Sequence, residues 1–264
     1  MPTKKGKAPA SYYKNDVTIN QASNTGIDAT TRNIQDGAGN NTAISLSDDV
    51  LSVQPVNDNG NTLLVKNQGG SNIFVVDTTN SKLLGGASQT ALNTNYAYFG
   101  VTDTMALAPV AGTHYMLPFG NLIEATNLVS FGTGDNPSTS YDVSANDAGD
   151  KITPMLWYIP DNITVDQVYW MAGGSTATGD TINIHLLSFD FDAGFGAGKG
   201  DLSNGVVVAG GADIASLGYE NVIYQSIAPA SADVDAGKVC MVTFESNGTN
   251  SDYSINVTIK YHIR

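Results

Sequence analysis

Charged residues are scarce in this sequence, and basic ones are scarcer than acidic ones. They make up 14% of the 264 residues, against about 25% in ordinary soluble domains. Twelve lysines and arginines stand against 25 aspartates and glutamates, which leaves a formal net charge of -13. Such a chain repels nucleic-acid phosphates and is not attracted to an anionic membrane surface. We therefore expect neither a nucleic-acid partner nor membrane insertion.

Cysteine and histidine are almost absent, which argues against disulfides and metal centres. Cys240 is the single cysteine, so no intrachain disulfide can form. Its strand-like run is apolar on both faces and predicts a buried thiol. The three histidines, His114, His185 and His262, are far apart, whereas zinc needs three or four converging ligands. The last two fall on the polar faces of predicted strands, where we expect solvent-exposed imidazoles.

Long apolar runs are also lacking, and no stretch approaches the length of a membrane span. At the N-terminus, Lys4, Lys5 and Lys7 precede a polar segment rather than the apolar core of a signal peptide. The abundant residues are Gly, Asn, Thr, Ser and Asp, which separate short runs of Val, Ile and Tyr. This alternation of turn-forming residues with short apolar runs predicts an all-β protein with many turns.

The stretch from Thr62 to Gly86 predicts strands whose apolar side chains have no evident cover from the rest of the chain. Two apolar runs flank a polar Gly-Gly turn: Leu63, Leu64 and Val65, then Ile73, Phe74, Val75 and Val76. We expect two strands here and no third long strand to cover them. A lone two-stranded ribbon is marginal in water. We therefore expect another copy of the chain to supply the missing cover.

This pattern, an apolar run, a polar glycine turn and then Ile73 to Asn80 as I-F-V-V-D-T-T-N, resembles the shaft segments of trimeric tail fibres and other surface fibres of double-stranded DNA bacteriophages. The resemblance covers residues 44–86 and, more loosely, the strand-rich part from residue 150 onward. It implies a homotrimeric structural protein at the virion surface, synthesised in the host cytoplasm. Attachment to the tail, or to the capsid as a fibre or decoration protein, stays open.

On this basis the chain divides into four parts. Residues 1–43 are predicted to be an extended arm that docks to other virion proteins through Lys4, Lys5, Lys7 and Lys14, although a solvated tail is the alternative. Residues 44–86 are predicted to be an intertwined trimeric β-shaft. Residues 87–149 form a β-rich middle section, in which Leu122 to Phe131 fit either two short strands or a helical turn.

Residues 150–264 carry the clearest strand pattern. Seven candidate strands are separated by turns: Ile152–Ile159, Thr164–Met171, Thr181–Phe189, Gly205–Ala209, Tyr219–Ile227, Lys238–Glu245 and Tyr253–Ile263. Apolar residues alternate through the last strand for eleven residues, so one of its faces lies in a core. The count and spacing predict a jelly-roll-like β-sandwich head.

The glycine-rich loop at 190–201 is the most suggestive motif. It lacks the glycine and Ser/Thr positions of a phosphate-binding loop. It also lacks the glycine and the fifth-position ligand of a calcium-binding EF-hand, which leaves a weaker calcium site open. We expect Phe191, Phe195 and Lys199 to be exposed and to contact a host cell-surface glycan or protein.

Nothing in the sequence indicates an enzyme. There is no nucleophile elbow of the G-x-S-x-G type, and the carboxylate pairs lie in predicted turns. We therefore expect no catalytic residues and no cofactor. Two alternatives remain: a monomeric carbohydrate-binding module or adhesin, and a polysaccharide depolymerase with two carboxyls across a cleft.

Overall fold

The computed structural model describes residues 16–21, 26–86, 88, 90–102, 109–120, 123–124, 128–143, 149–175, 179–194, 199–215, 221–248 and 252–264. Within these ranges the chain is built almost wholly of β-strands, which confirms the all-β prediction. It divides into two compact units, residues 1–93 and residues 94–264. No helix among the described residues is both long and apolar enough to span a bilayer.

The N-terminal unit holds two antiparallel four-stranded sheets. The first has the strands β1 (Val17–Ile19), β2 (Arg32–Asp36), β3 (Asn41–Leu46) and β4 (Leu51–Val53), hydrogen-bonded in that order. The second has β5 (Leu63–Lys66), β6 (Asn72–Asp77), β7 (Lys82–Gly85) and β8 (Thr90–Ala91), also in chain order. Each strand therefore pairs with the next strand along the chain, as short polar turns favour.

Side-chain hydrogen bonds to the backbone shape these turns. The Asp36 carboxylate accepts the backbone N–H groups of Ala38 and Asn40, both at 2.9 Å, and closes the turn between β2 and β3. The Asp77 carboxylate accepts the backbone N–H of Asn80 at 3.0 Å and its side-chain amide at 2.8 Å. Asp and Asn favour turns because their side chains replace missing backbone partners.

Two predictions about this unit are wrong. Residues 17–43 are not an extended arm, because β1, β2 and the start of β3 form most of the first sheet. The ribbon at 62–86 is not two-stranded, because the turn after Asp77 leads back into β7, which pairs with β6. The four lysines assigned to docking, Lys4, Lys5, Lys7 and Lys14, lie outside the described residues.

The C-terminal unit consists of two larger sheets. The seven-stranded sheet holds β10 (Thr113–Met116), β12 (Ser130–Thr133), β13 (Trp157–Tyr158), β15 (Thr181–Phe191), β16 (Leu202–Gly210), β17 (Ile214–Ala215) and β20 (Val239–Ser246). The six-stranded sheet holds β9 (Thr94–Thr102), β11 (Ile123–Glu124), β14 (Ile163–Ser175), β18 (Asn221–Ile227), β19 (Asp233–Val234) and β21 (Asp252–Ile263).

One hydrophobic core joins residues of both sheets, as in a sandwich. Its largest fully buried side chains include Phe99 and Trp170 from the six-stranded sheet and Phe189 and Phe244 from the seven-stranded one. Cys240 lies in this core with no exposed surface, which confirms the prediction of a buried thiol, and burial raises its pKa to about 12. A thiol in such surroundings is unreactive.

Strands from the predicted middle section belong to these same sheets. β9 pairs with β21, and β10 pairs with β20. The boundary of the compact unit therefore lies between Asn93 and Thr94, and not at residue 150. Long-range pairing between strands more than a hundred residues apart leaves no local mark in the sequence.

The segment Ile152–Ile159, predicted as one strand, is helical in its first half. A short helix α1 (Gly149–Ile152) continues into a 3₁₀ turn at Thr153–Met155, and only Trp157–Tyr158 forms a strand. Pro154 occupies the first turn of the 3₁₀ segment, where its missing N–H costs no hydrogen bond. The other six predicted strands of residues 150–264 overlap β14, β15, β16, β18, β20 and β21.

Candidate functional site

A polar cleft opens beside β15 and β20 in the C-terminal unit, with a volume of about 660 Å³. Asn183 and His185 of β15 stand in register with Glu245 and Thr243 of β20, so the four side chains share one face of the sheet. Asp213, from the loop after β16, and Asp135, from the loop after β12, complete the polar lining. We call this site the acidic cleft.

Two buried side chains of the acidic cleft have unused hydrogen-bonding atoms. Asn183 is 8% exposed, and its amide nitrogen donates to the Asp213 carboxylate at 3.0 Å. The Asn183 Oδ1 oxygen has no partner within the described protein. His185 is 4% exposed, and its Nδ1 also lacks a partner there. Buried polar atoms normally have partners, so these two atoms are unused hydrogen-bonding capacity in side chains that line the cleft.

The two histidines beside the cleft form an edge-on pair. The rings of His114 and His185 have centroids 5.2 Å apart and an interplanar angle of 79°. The His114 Nε2 lies 3.0 Å from the carbonyl oxygen of Gly134. Because a carbonyl only accepts, this nitrogen carries the proton, and His114 is the Nε2–H tautomer when neutral.

Burial and neighbouring charges set the protonation of the cleft. Burial, together with the neighbouring His114, lowers the pKa of His185 to about 4, although Asp213 opposes this shift. Burial, followed by the charges of Asp213 and Asp135, raises the pKa of Glu245. His185 is therefore neutral near pH 7, and the carboxylates around it give the cleft a negative potential.

The charge of the whole chain reinforces this potential. Residues 94–264 contain 18 acidic and five basic residues, a net charge of -13, whereas residues 1–93 contain seven of each and are formally neutral. None of the described lysines and arginines lines the acidic cleft. The C-terminal unit therefore attracts cations toward the cleft and repels anions.

Glycines keep one wall of the cleft free of side chains. A Cβ atom on Gly210 would lie 2.8 Å from Cδ2 of His185. One on Gly211 would lie 2.5 Å from Oε1 of Gln225 and 3.3 Å from Oδ1 of Asn183. Larger residues at these two positions would press on the polar groups that line the site.

The exposed histidines predicted from the sequence are buried, so that prediction is wrong. His185 lies beside the cleft, and His262 is 2% exposed with its Nδ1 at 3.1 Å from the Asp166 carboxylate. A register shift in β14 between Val165 and Gln167 places Asp166 within reach of His262. Asp166 therefore belongs to a strand bulge and not to a turn.

The loop at 190–201 contacts the rest of the protein through its carboxylates. Asp190 pairs with Lys238 and accepts the Asn204 amide, while Asp192 pairs with Lys199 at 2.7 Å. Asp201 accepts the backbone N–H of Val143 at 2.8 Å. Among the described residues no three His, Cys, Asp or Glu side chains converge as metal ligands. Asp190, Asp192 and Asp201 are the carboxylates of the weak calcium site that the sequence left open, and each of them has a protein partner.

The predicted host-contact residues differ from one another in placement. Phe191 ends β15, is half-buried and packs against the hydrophobic core, so its predicted exposure is wrong. Lys199 is exposed, and Phe195 lies outside the described residues. Phe191 and Lys199 line an apolar pocket of about 330 Å³ together with Ile152, Leu156 and Tyr158.

Tyrosines stand on the outer face of the six-stranded sheet. Tyr96 and Tyr98 of β9 are about half exposed, while the intervening Ala97 is buried. Tyr224 of β18 is 59% exposed and shares this face through its register with Met171 of β14. Flat exposed aromatic rings of this kind stack on sugars or on partner proteins.

The N-terminal unit exposes an apolar sheet face. Cross-strand register and alternation place seven aliphatic side chains on one side of the first sheet. We call it the aliphatic face: Val17, Ile19, Ile34, Ile44, Leu46, Leu51 and Val53. None of the seven is buried. Arg32, paired with Leu46, and Asp36, paired with Val17, lie on the same side at the two ends of β2. The opposite side carries polar residues such as Ser45 and Ser52.

The predicted shaft residues are split between two sides of the second sheet. Leu63, Val65, Phe74 and Val76 share one side, whereas Leu64, Ile73 and Val75 share the other. Leu63, Val65 and Ile73 are at least 40% exposed, while Leu64, Phe74 and Val76 are half-buried. Val75 is the only buried apolar side chain in the described part of residues 1–93. The unit therefore has no hydrophobic core of its own among these residues.

Sequence reasoning missed the acidic cleft because its members are far apart in the chain and unremarkable singly. Asn183 and Glu245 became neighbours only through the register of β15 with β20. The alternation of β15 did place Asn183 and His185 on one face, which is the only signal that the sequence offered. No protein-family model matches the chain, and no curated protein sequence matches it.

Proposed function

We propose that the chain is a homotrimeric surface fibre protein of a bacteriophage virion, with residues 16–93 forming the assembling part and residues 94–264 the displayed head. The observation that supports assembly is the aliphatic face, since seven neighbouring aliphatic side chains are left unburied. Fully burying one such side chain stabilises a protein by about 1.5–3 kcal/mol. A second copy of the same face is the simplest cover.

Charge supports the choice of identical copies. Residues 1–93 are formally neutral, and residues 16–93 alone hold seven acidic and three basic residues, a net charge of -4. Copies of this part therefore repel one another less than the heads, which carry -13 each. The number three follows from the resemblance of residues 44–86 to trimeric fibre shafts. Three sheets, each with one apolar side, close around a common axis and leave their polar sides in water.

Light scattering after size-exclusion chromatography tests the assembly. We expect a molar mass three times that of the 27.6 kDa chain. Ile44→Asp places a charge on the aliphatic face and is expected to shift most of the protein to the single-chain mass. Ser45→Asp places the same charge on the opposite face of β3 and is the matched control. A wild-type mass of 27.6 kDa would refute the trimer.

Docking to the particle is assigned to the residues that precede the first sheet. Deletion of residues 1–15 leaves β1–β4 complete, so it tests docking without removing the sheet. We expect virions carrying this deletion to lose the protein, as measured by immunoblotting of purified particles, while the free protein keeps its molar mass. Unchanged incorporation would contradict a docking role for Lys4, Lys5, Lys7 and Lys14.

A monomeric carbohydrate-binding module or adhesin is the second candidate. The exposed rings of Tyr96, Tyr98 and Tyr224 favour it, because planar aromatic surfaces bind sugar rings. It requires no second copy, so the molar mass separates it from the fibre. Glycan-array binding that depends on these tyrosines, by a protein of single-chain mass, would favour the module.

A further inference from the structure

We propose that the acidic cleft binds a ligand that carries both a protonated primary amine and hydroxyl groups, namely an amino sugar with a free amino group. All the groups that carry the argument belong to the C-terminal unit. The inference therefore holds whether or not the chain is a trimeric fibre.

The charge of the cleft calls for a cation. Asp135, Asp213 and Glu245 line it, and no described basic residue does. A neutral ligand would leave the charge of the carboxylates uncompensated, whereas an ammonium group compensates it and donates charge-assisted hydrogen bonds to them. An anionic sugar would be repelled.

The arrangement does not suit a bare metal ion. Among the described residues no three carboxylate, histidine or cysteine side chains converge closely enough to coordinate one. The carboxylates are spread around a cleft of about 660 Å³, a size typical of sites for small organic molecules. An organic cation that bonds to separate points of the wall fits this spread better than an ion.

Hydroxyl groups are required by a separate observation. The Asn183 Oδ1 oxygen is buried and lacks a partner in the described protein, and its amide nitrogen is already committed to Asp213. This oxygen only accepts, so the ligand must bring a donor to it. The His185 Nδ1 is a second unused polar atom in the same wall. A lysine side chain offers one ammonium group on a methylene stem and no donor for these atoms.

The bare and apolar parts of the wall are suited to a sugar ring. Gly210 and Gly211 have no side chains to cover the backbone of the cleft wall. Val207, Ala212 and Ala230 supply small apolar contacts beside them. The C–H faces of a pyranose can pack on such surfaces while its hydroxyls bond to the polar rim. The site thus combines the three properties of an amino sugar: charge, hydroxyl donors and an apolar ring face.

Calorimetric titration of the full chain with three sugars tests the assignment, at a pH at which the amine of glucosamine is protonated. Glucosamine carries the ammonium group, N-acetylglucosamine replaces it with a neutral amide, and glucose replaces it with a hydroxyl. We expect glucosamine to bind at least tenfold more tightly than the other two. Equal binding of all three, or no binding of glucosamine, would overturn the proposal. Tighter binding of Nα-acetyl-lysine methylamide than of glucosamine would also overturn it.

Two isosteric variants connect binding to the cleft. Asp213→Asn and Glu245→Gln remove charge without changing shape, and Asp213 lies in an exposed loop, so its variant should fold normally. We expect each to weaken glucosamine binding by at least tenfold. Asp161→Asn removes an exposed carboxylate that does not line the cleft and should bind glucosamine like wild type. Wild-type affinity in both cleft variants would contradict the site, and circular dichroism verifies that each protein is folded.

Discussion

Histidine burial is the clearest departure of single residues from their expected places. His114, His185 and His262 are all less than 5% exposed. His185 and His262 nevertheless occupy strand positions that alternation alone assigns to a polar face. His262 is matched with Asp166, and the His114 Nε2 with a carbonyl oxygen. The Nδ1 nitrogens of His114 and His185 have no partner among the described residues. Alternation predicts which face a residue points to, but not whether other parts of the chain cover that face.

His185 makes the stability of the C-terminal unit dependent on pH. Its pKa is about 4 in the folded protein, against an ordinary value of 6.5. Between these two values the unfolded chain binds a proton that the folded chain does not, so stability is full above pH 6.5 and falls as the pH drops toward 4. The loss should amount to about 2–3 kcal/mol.

Urea unfolding at pH 7 and at pH 4.5, followed by tryptophan fluorescence, measures this effect, because Trp157 and Trp170 both belong to the C-terminal unit. We expect His185→Gln to lose less stability on acidification than wild type, whatever its stability at pH 7. The raised pKa of Glu245 acts in both proteins and largely cancels in the comparison. An equal loss in the two proteins would show that His185 is not the group responsible.

Strands of this protein were easier to predict than the sheets that contain them. Apolar runs and turn residues located β5, β6 and most strands after residue 150. The missed elements have weak local signals: β1 and β7 are three and four residues long, and α1 is a single turn before a proline. Pairing partners such as β9 with β21 depend on contacts that no local pattern encodes.

Close packing against β16 provides a test of the sandwich. A Cβ atom on Gly205 would lie 2.4 Å from the Phe189 ring and 2.9 Å from the backbone of Thr139. Since the backbone cannot yield as a flexible side chain does, we expect Gly205→Ala to destabilise the unit by about 1–3 kcal/mol. Ser203→Ala, an exposed position of the same strand, should change stability little. Thermal unfolding compares the two, and similar midpoints would contradict this packing.

The two units of the molecule differ in how they bury apolar surface and in their net charge. Residues 94–264 enclose a hydrophobic core and carry a net charge of -13. Residues 1–93 as a whole are formally neutral, and their described part buries a single apolar side chain. A unit such as the N-terminal one, which exposes its apolar surface instead of enclosing it, gains most of its stability by association. Association is what removes that surface from water. If the proposed assembly forms, we expect residues 94–264 to fold alone and the N-terminal unit to be stabilised by its copies.

Calorimetry should therefore resolve two thermal transitions with different dependence on concentration. Anything that binds only the folded state raises the apparent stability by mass action, and identical copies do so for an assembling unit. We expect the transition of the N-terminal unit to move to higher temperature as the protein concentration rises tenfold. The transition reported by tryptophan fluorescence, which belongs to the head, should not move. A single shared transition, or two transitions whose midpoint temperatures do not change with protein concentration, would contradict this division.

The sequence by itself determined that the chain is all-β, that Cys240 is buried and that residues near the front form strands with apolar sides and little cover. These properties follow from composition and from a period of two, which act over a few residues. Only the tertiary structure decided where the compact unit begins, which histidines are covered and that Asn183, Asp213 and Glu245 meet around one cleft. Register between distant strands decides these matters, and it is set by the packing of the whole unit rather than by any local stretch.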